Sequence, residues 1–235
     1  MDWLNRYFGI EAKGSSVRTE ILAGVATFLT MAYIIVVNPS ILSKAGMDFG
    51  SVFVATILAA AVGSSIMGWW AKWPVALAPG MGLNAFFAFG IVLGLKQPWE
   101  VALGAVFVSG VLFLILSLTG LREWVINSIP KSLKLGIGAG IGLFLAIIGL
   151  KNAGVVVDHP ATLVGLGDVT GLPVILFAVG FAIMIVLDRL RVPGGIIIGI
   201  LAVSIIGWAT GVAEFQGVAS LPPSLTPTLF KLDIT

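Results

Sequence analysis

The sequence predicts an all-α integral membrane protein of seven membrane-crossing segments, the third broken into a short strand and a half-helix. Three observations carry this. Hydrophobic residues make up 58% of the 235 residues and charged ones only 10%, against about 45–50% and about 25% in soluble domains. Mean hydropathy is +1.10, so a water-soluble fold would be covered in exposed apolar surface. The apolar residues fall in runs close to the roughly 17–25 needed to cross a bilayer, and one run carries a cluster of helix breakers.

The lead-in, residues 1–20, holds Asp2, Arg6, Glu11, Lys13, Arg18 and Glu20 and suits a short amphipathic helix on the cytoplasmic side. Seven segments follow, near Ile21–Val37, Ser51–Trp70, Trp73–Leu95, Val101–Thr119, Leu133–Leu150, Leu172–Leu187 and Val192–Thr210. With the N-terminus inside, the inner segments hold Arg6, Lys13, Arg18, Lys72, Arg122, Lys131, Lys134, Arg189 and Arg191. The outer ones hold Lys44, Lys96, Lys151 and Lys231. This bias sets the orientation and places Thr235 outside. An odd number of crossings means that a second similar block would enter the membrane upside down, the inverted-repeat plan of many transporters. A free-standing seven-helix protein of receptor type is the competing arrangement, and the interior motifs suit it poorly.

The first segment carries Thr27, Thr30, Tyr33 and Asn38 and is expected to close at Pro39. Threonine hydroxyls usually bond back to their own helix. Thr30 and Tyr33, three apart, share a face and are candidate binding residues. The third segment is the most informative. Pro74, Pro79, Gly80 and Gly82 interrupt an apolar run, and proline removes a backbone donor and clashes with the preceding turn. In lipid, unwound backbone survives only where protein buries it or water reaches it. Val75–Ala78 is therefore expected to be extended, with a half-helix from Gly82 pointing its amides into a cavity. Such amides suit carbonyl oxygens or anions. Asn84, in the first turn, can donate and accept.

In the fifth segment Gly136, Gly138, Gly140 and Gly142 alternate, a pattern for close or sliding helix contact. It is no nucleotide loop, since the GxGxxG spacing is incomplete and no strand precedes it. Pro193-Gly194-Gly195 opens the seventh segment. His159 is expected in a solvated outer loop, and Arg122-Glu123-Trp124 at the interface. No ionisable residue falls near the middle of any segment, although proton-coupled carriers usually place one at membrane depth. No nucleophile, base and orienting group come together, so no enzyme is expected, and no cofactor. There is no cysteine, which removes a thiolate metal site, and no metal site is expected. A net charge of +2 makes no case for nucleic acid.

Thr30-Met31-Ala32-Tyr33-Ile34-Ile35-Val36-Val37-Asn38-Pro39 and Ala76-Leu77-Ala78-Pro79-Gly80-Met81-Gly82-Leu83-Asn84-Ala85-Phe86-Phe87 resemble the AzgA-like purine permeases of the nucleobase–ascorbate transporter superfamily. Pro193-Gly194-Gly195 and Lys131–Gly142 resemble that branch as well, and the likeness covers essentially the whole chain. It implies fourteen spans in two inverted repeats of seven, with this chain as the N-terminal half. Residues 21–119 would be half of a core domain and 120–210 half of a gate domain. Residues 211–235 would form an outer loop leading to a missing second repeat. The resemblance implies import of a purine nucleobase (hypoxanthine, guanine or adenine) with protons across the cytoplasmic membrane. Asn84 would bind the base, helped by backbone around Gly82, Leu83, Ala85 and Phe86, with Phe86 or Phe87 stacking on it. The family's acidic residues lie in spans eight and ten, outside this chain. Relatives are often homodimers. A uracil, xanthine or sulfate-type carrier of the same fold, or a non-transporting half-repeat subunit, are the alternatives.

Overall fold

The computed structural model describes residues 2–214, 217 and 221–234. Met1 of the lead-in, and residues 215, 216, 218–220 and 235 of the expected outer loop, lie outside the described residues. A short helix α1, Asp2–Phe8, opens the chain as expected, and Tyr7 and Phe8 pack on Trp69. The Tyr7 hydroxyl donates to the Trp69 carbonyl at 3.2 Å, and Lys13 Nζ to the Lys72 carbonyl at 2.7 Å.

The first apolar stretch begins at α2, Val17–Met31, where the Ser16 side chain accepts the Thr19 amide at 3.2 Å and Glu20 sits in the first turn. Both features favour a helix start. A turn at Ala32-Tyr33 leads into α3, Ile34–Leu42. Helix α3 therefore runs through Pro39 instead of closing there. Proline costs an internal hydrogen bond, but Pro39 is fully buried, so packing holds the helix together. Helix α4, Phe49–Trp69, is capped by Asp48, whose carboxylate accepts the Ser51 amide at 2.7 Å.

Trp73–Gly80 forms neither helix nor sheet, so the expected strand has no ladder partner among the described residues. Helix α5, Met81–Ala85, follows and continues as a π-wound stretch, Phe86–Gly94. The expectation of a break before a half-helix thus holds, while the π winding was not anticipated. Such winding is rare and recurs at functional sites. Helices α6, Trp99–Leu118, α7, Leu121–Ser128, and α8, Lys131–Asn152, come next. The stretch after α8 then departs from an all-α fold. Strands β1, Val156–His159, and β2, Leu163–Leu166, pair antiparallel, with Val156 opposite Leu166 and His159 opposite Leu163. His159 is exposed, as expected, and its Nδ1 lies 3.1 Å from the Thr162 hydroxyl. Helices α9, Leu172–Arg189, and α10, Gly195–Ala209, complete the described fold and pack on each other.

Among the described residues five helical stretches are long and apolar enough to cross a membrane: Val17–Ala45, α4, α6, α8 and α9. Two more apolar helices, Met81–Gly94 and α10, are shorter. At about 1.5 Å per residue each spans roughly 22 Å, against about 30 Å of hydrocarbon. The physical reasons are local. Breakers consume the first third of one segment, and Gly194, at φ +77°, delays the start of the other. The chain is a multi-pass membrane protein.

Buried side chains are few and concentrate at one place. Ile41, Met47, Val52, Ala85, Phe87, Ala88 and Ala102 form the core where α3, α4, the half-helix and α6 meet. By contrast α8 buries none of its own residues. No atom lies within 4 Å of a side-chain position at Gly136, Gly138, Gly140 or Gly142. The glycine stripe therefore makes no close helix contact among the described residues.

Candidate functional site

The unwound Trp73–Gly80 segment needs partners for its backbone, since an unpaired amide away from water is costly. Two neighbouring helices supply them at Ala76 and Leu77. Thr27 on α2 donates its hydroxyl to the Gly24 carbonyl at 3.0 Å and accepts the Ala76 amide at 3.0 Å. Ser64 on α4 accepts the Leu77 amide at 2.8 Å and lies 3.3 Å from the Leu77 carbonyl. Thr27 thus bonds back to its own helix, as expected, and also pins the break.

This pinning delivers the half-helix in a defined place. Its Asn84 side chain reaches across to α3, where its Nδ2 donates to Asn38 Oδ1. Asn38 Nδ2 donates to the Thr56 hydroxyl on α4 at 2.8 Å. Thr56 in turn donates to the Val52 carbonyl at 2.7 Å. Asn38 and Thr56 are only 4% and 3% exposed. A polar chain of this kind in an apolar interior persists because every member is satisfied. It ties three separate segments at one point.

Asn84 itself is half-buried and borders a cleft of about 420 Å³ with Gly80, Leu83, Phe86, Ile91, Leu103 and Ser109 among its walls. Small-molecule sites have this character, apolar walls with a few polar groups. Of the expected binding residues, the structure brings Asn84, Leu83 and Phe86 to this cleft. Phe86 is 60% exposed, whereas Phe87, which also lines the cleft, is buried as part of the core. Ala85 is fully buried. Gly82 faces away toward α8, and a methyl group there would lie 3.0 Å from Ile141. Thr30 and Tyr33 stand outside the cleft walls, and the Thr30 hydroxyl bonds back to the Thr27 carbonyl at 2.8 Å. Asn38 stands out in the sequence as a polar member of the first segment and of the motif that ends at Pro39, whereas Thr56 carries no local signal. The available signal was an amide inside an apolar run, directly before a proline.

Lys44 Nζ donates to Asn152 Oδ1 of α8 at 2.6 Å. Beyond β2 the Asp168 carboxyl is held below the usual carboxylate range, first by the Thr170 hydroxyl at 2.6 Å and then by its amide. Among the described residues no group of three or more histidines or acidic residues is placed to hold a metal ion.

Comparison with known proteins converges with this architecture. Residues 18–234 match the Permease family. The adenine permease AdeP of Escherichia coli is 46% identical over 231 residues, 98% of this chain and 52% of that protein. The guanine/hypoxanthine permease PbuG of Bacillus subtilis is 45% identical over 236 residues, 96% of this chain and 53% of its own. The guanine/hypoxanthine permease PbuO of Bacillus subtilis is 48% identical over 218 residues, covering 92% and 50%. The chain spans about half the length of the curated relatives it matches. These are names of transporters, not of enzymes. With a match over nearly all its residues, and an apolar helical fold broken at the half-helix, the chain belongs to the permease family.

Proposed function

We propose that this chain is the N-terminal half of a proton-coupled importer of purine nucleobases in the cytoplasmic membrane. Its N-terminus faces the cytoplasm, and its seven crossing segments form one of two inverted repeats. The observation that carries the proposal is the likeness, across 96–98% of the chain, to permeases named for adenine and for guanine/hypoxanthine. The site supports it. Asn84 stands in the first turn of a half-helix beside a cleft with an aromatic wall, Phe86. An amide that donates and accepts, next to an aromatic face, suits a planar heterocycle. Leu83 and Phe86 would contact the base, and the first amides of α5, which have no intrahelical partner, would face its carbonyl or ring nitrogens. Gly82 and Ala85 would contribute to binding through their backbone, and Thr30 and Tyr33 from the first segment. Residues 21–119 would belong to the substrate-carrying core and 120–210 to the gate. The second repeat would complete the site and supply the proton-carrying carboxylates, with a homodimer as the assembled form.

The test is uptake of labelled adenine, guanine and hypoxanthine by cells lacking their own purine carriers and expressing the full-length gene. Saturable uptake that collapses on adding a protonophore is expected, and Asn84→Ala should abolish or strongly weaken it. Uptake of uracil, xanthine or sulfate in preference to these purines would refute the assignment, as would transport at full rate by Asn84→Ala.

A further inference from the structure

We infer that Thr56, acting through Asn38, sets the orientation of the Asn84 carboxamide and so determines which donor–acceptor order the site offers to its substrate. This deepens the proposed function and rests on the binding role given there to Asn84.

The argument is one of hydrogen-bond polarity. A backbone carbonyl can only accept, so the Val52 carbonyl takes the single proton of the Thr56 hydroxyl, 2.7 Å away. With its proton committed, the Thr56 oxygen can only accept from Asn38. Asn38 must therefore turn its Nδ2 toward Thr56, at 2.8 Å, and its Oδ1 toward Asn84. Asn84 then has to donate. Both inner members are buried, so reversing any one link would oppose two donors or two acceptors in an apolar interior. That costs more than an exposed mismatch. The polarity is thus imposed from a carbonyl of α4, two side chains away from the cleft.

The consequence falls on Asn84. One of its N–H groups is spent, and Oδ1 and the second N–H remain for the cleft in a fixed order. A free carboxamide could rotate by half a turn and present either order. Purines differ in just this property. At N1 and the 6-substituent, hypoxanthine and guanine present a donor and then an acceptor, whereas adenine presents an acceptor and then a donor. A locked amide prefers one of these orders and an unlocked one accommodates both. Thr56 and Asn38 are positioning residues for selectivity, without touching the base.

Two measurements on the full-length protein test this. The first is the ratio of the uptake KM values for hypoxanthine and adenine. Thr56→Val, which keeps the shape and removes the hydroxyl, should move the ratio toward one by about five- to tenfold, the worth of one neutral hydrogen bond or slightly more. Thr56→Ser should retain it. The second needs no substrate: thermal melting of the purified protein at pH 8, above the ordinary carboxylate range. Asn84→Asp puts an acceptor where the chain demands a donor. Its loss in Tm should be smaller in a Thr56→Val background, where Asn38 is free to reverse. An unchanged KM ratio in Thr56→Val overturns the inference, and so does an equal or larger loss in Tm in that background. Rescue in melting by a protein that carries no nucleobase would uphold the polarity and overturn the substrate assignment beneath it.

Discussion

Truncating Asn38 to alanine removes the middle of the polar chain, and the structure allows its cost to be worked out. Two side-chain hydrogen bonds are lost, one to Thr56 and one from Asn84. Side-chain hydrogen bonds between membrane helices average about 0.6 kcal/mol each, which makes about 1.2 kcal/mol for the pair. Neither partner is stranded. Thr56 keeps its bond to the Val52 carbonyl, and Asn84 is only half-buried and opens onto the cleft. The further penalty of about 1–3 kcal/mol for an unsatisfied buried group therefore does not apply. The residual cavity beside the fully buried Pro39 adds about 1 kcal/mol. A total of about 2 kcal/mol corresponds to a fall in Tm of about 4–8 °C for a chain of this size. Fluorescence-detected melting of the purified protein in detergent reads it, with Asn38→Leu as the control that refills the volume and should recover about half. A Tm within 1 °C of wild type, on the order of the measurement error, would refute the reasoning. It would mean that the chain of bonds does not hold the three segments together.

Three other perturbations are decided by particular contacts. Thr27→Val leaves the Ala76 amide without its partner and should cost about 1–3 kcal/mol; Thr27→Ser should not, and loss of Tm in the serine variant as well would point to packing instead. Gly82→Ala places a methyl group 3.0 Å from Ile141, so uptake should fall while expression stays normal, and Ile141→Ala should restore it. If the double variant is as impaired as the single, the contact between half-helix and α8 is not the cause. Lys151→Ala breaks the 2.7 Å ion pair with Asp158, but both groups are exposed, so Tm should move by less than about 1 °C, in keeping with the small worth of surface pairs.

The sequence by itself determined the membrane character, the approximate place of each apolar segment and the break before the half-helix. These follow from composition and from the local chemistry of proline and glycine, which act on their own stretch of backbone. Asn84 was legible for the same reason, as a polar residue directly after a run of breakers. What the tertiary structure decided depends on residues far apart in the chain. The partner of Asn84 is Asn38, 46 positions away, and no local pattern announces that pairing or the role of Thr56. Pro39 reads locally as a stop, yet burial against neighbouring helices carries α3 past it. The half-helix also has two sides, and the sequence could not tell them apart. Leu83, Asn84 and Phe86 face the cleft and Gly82 faces Ile141, because the orientation of α5 is set by the bonds that pin the preceding unwound segment to α2 and α4. The β1–β2 hairpin likewise needed two short segments to find each other. Local steric rules fix where the backbone must break, but which side chain meets which is settled only when the segments pack and each buried polar group has to find a partner.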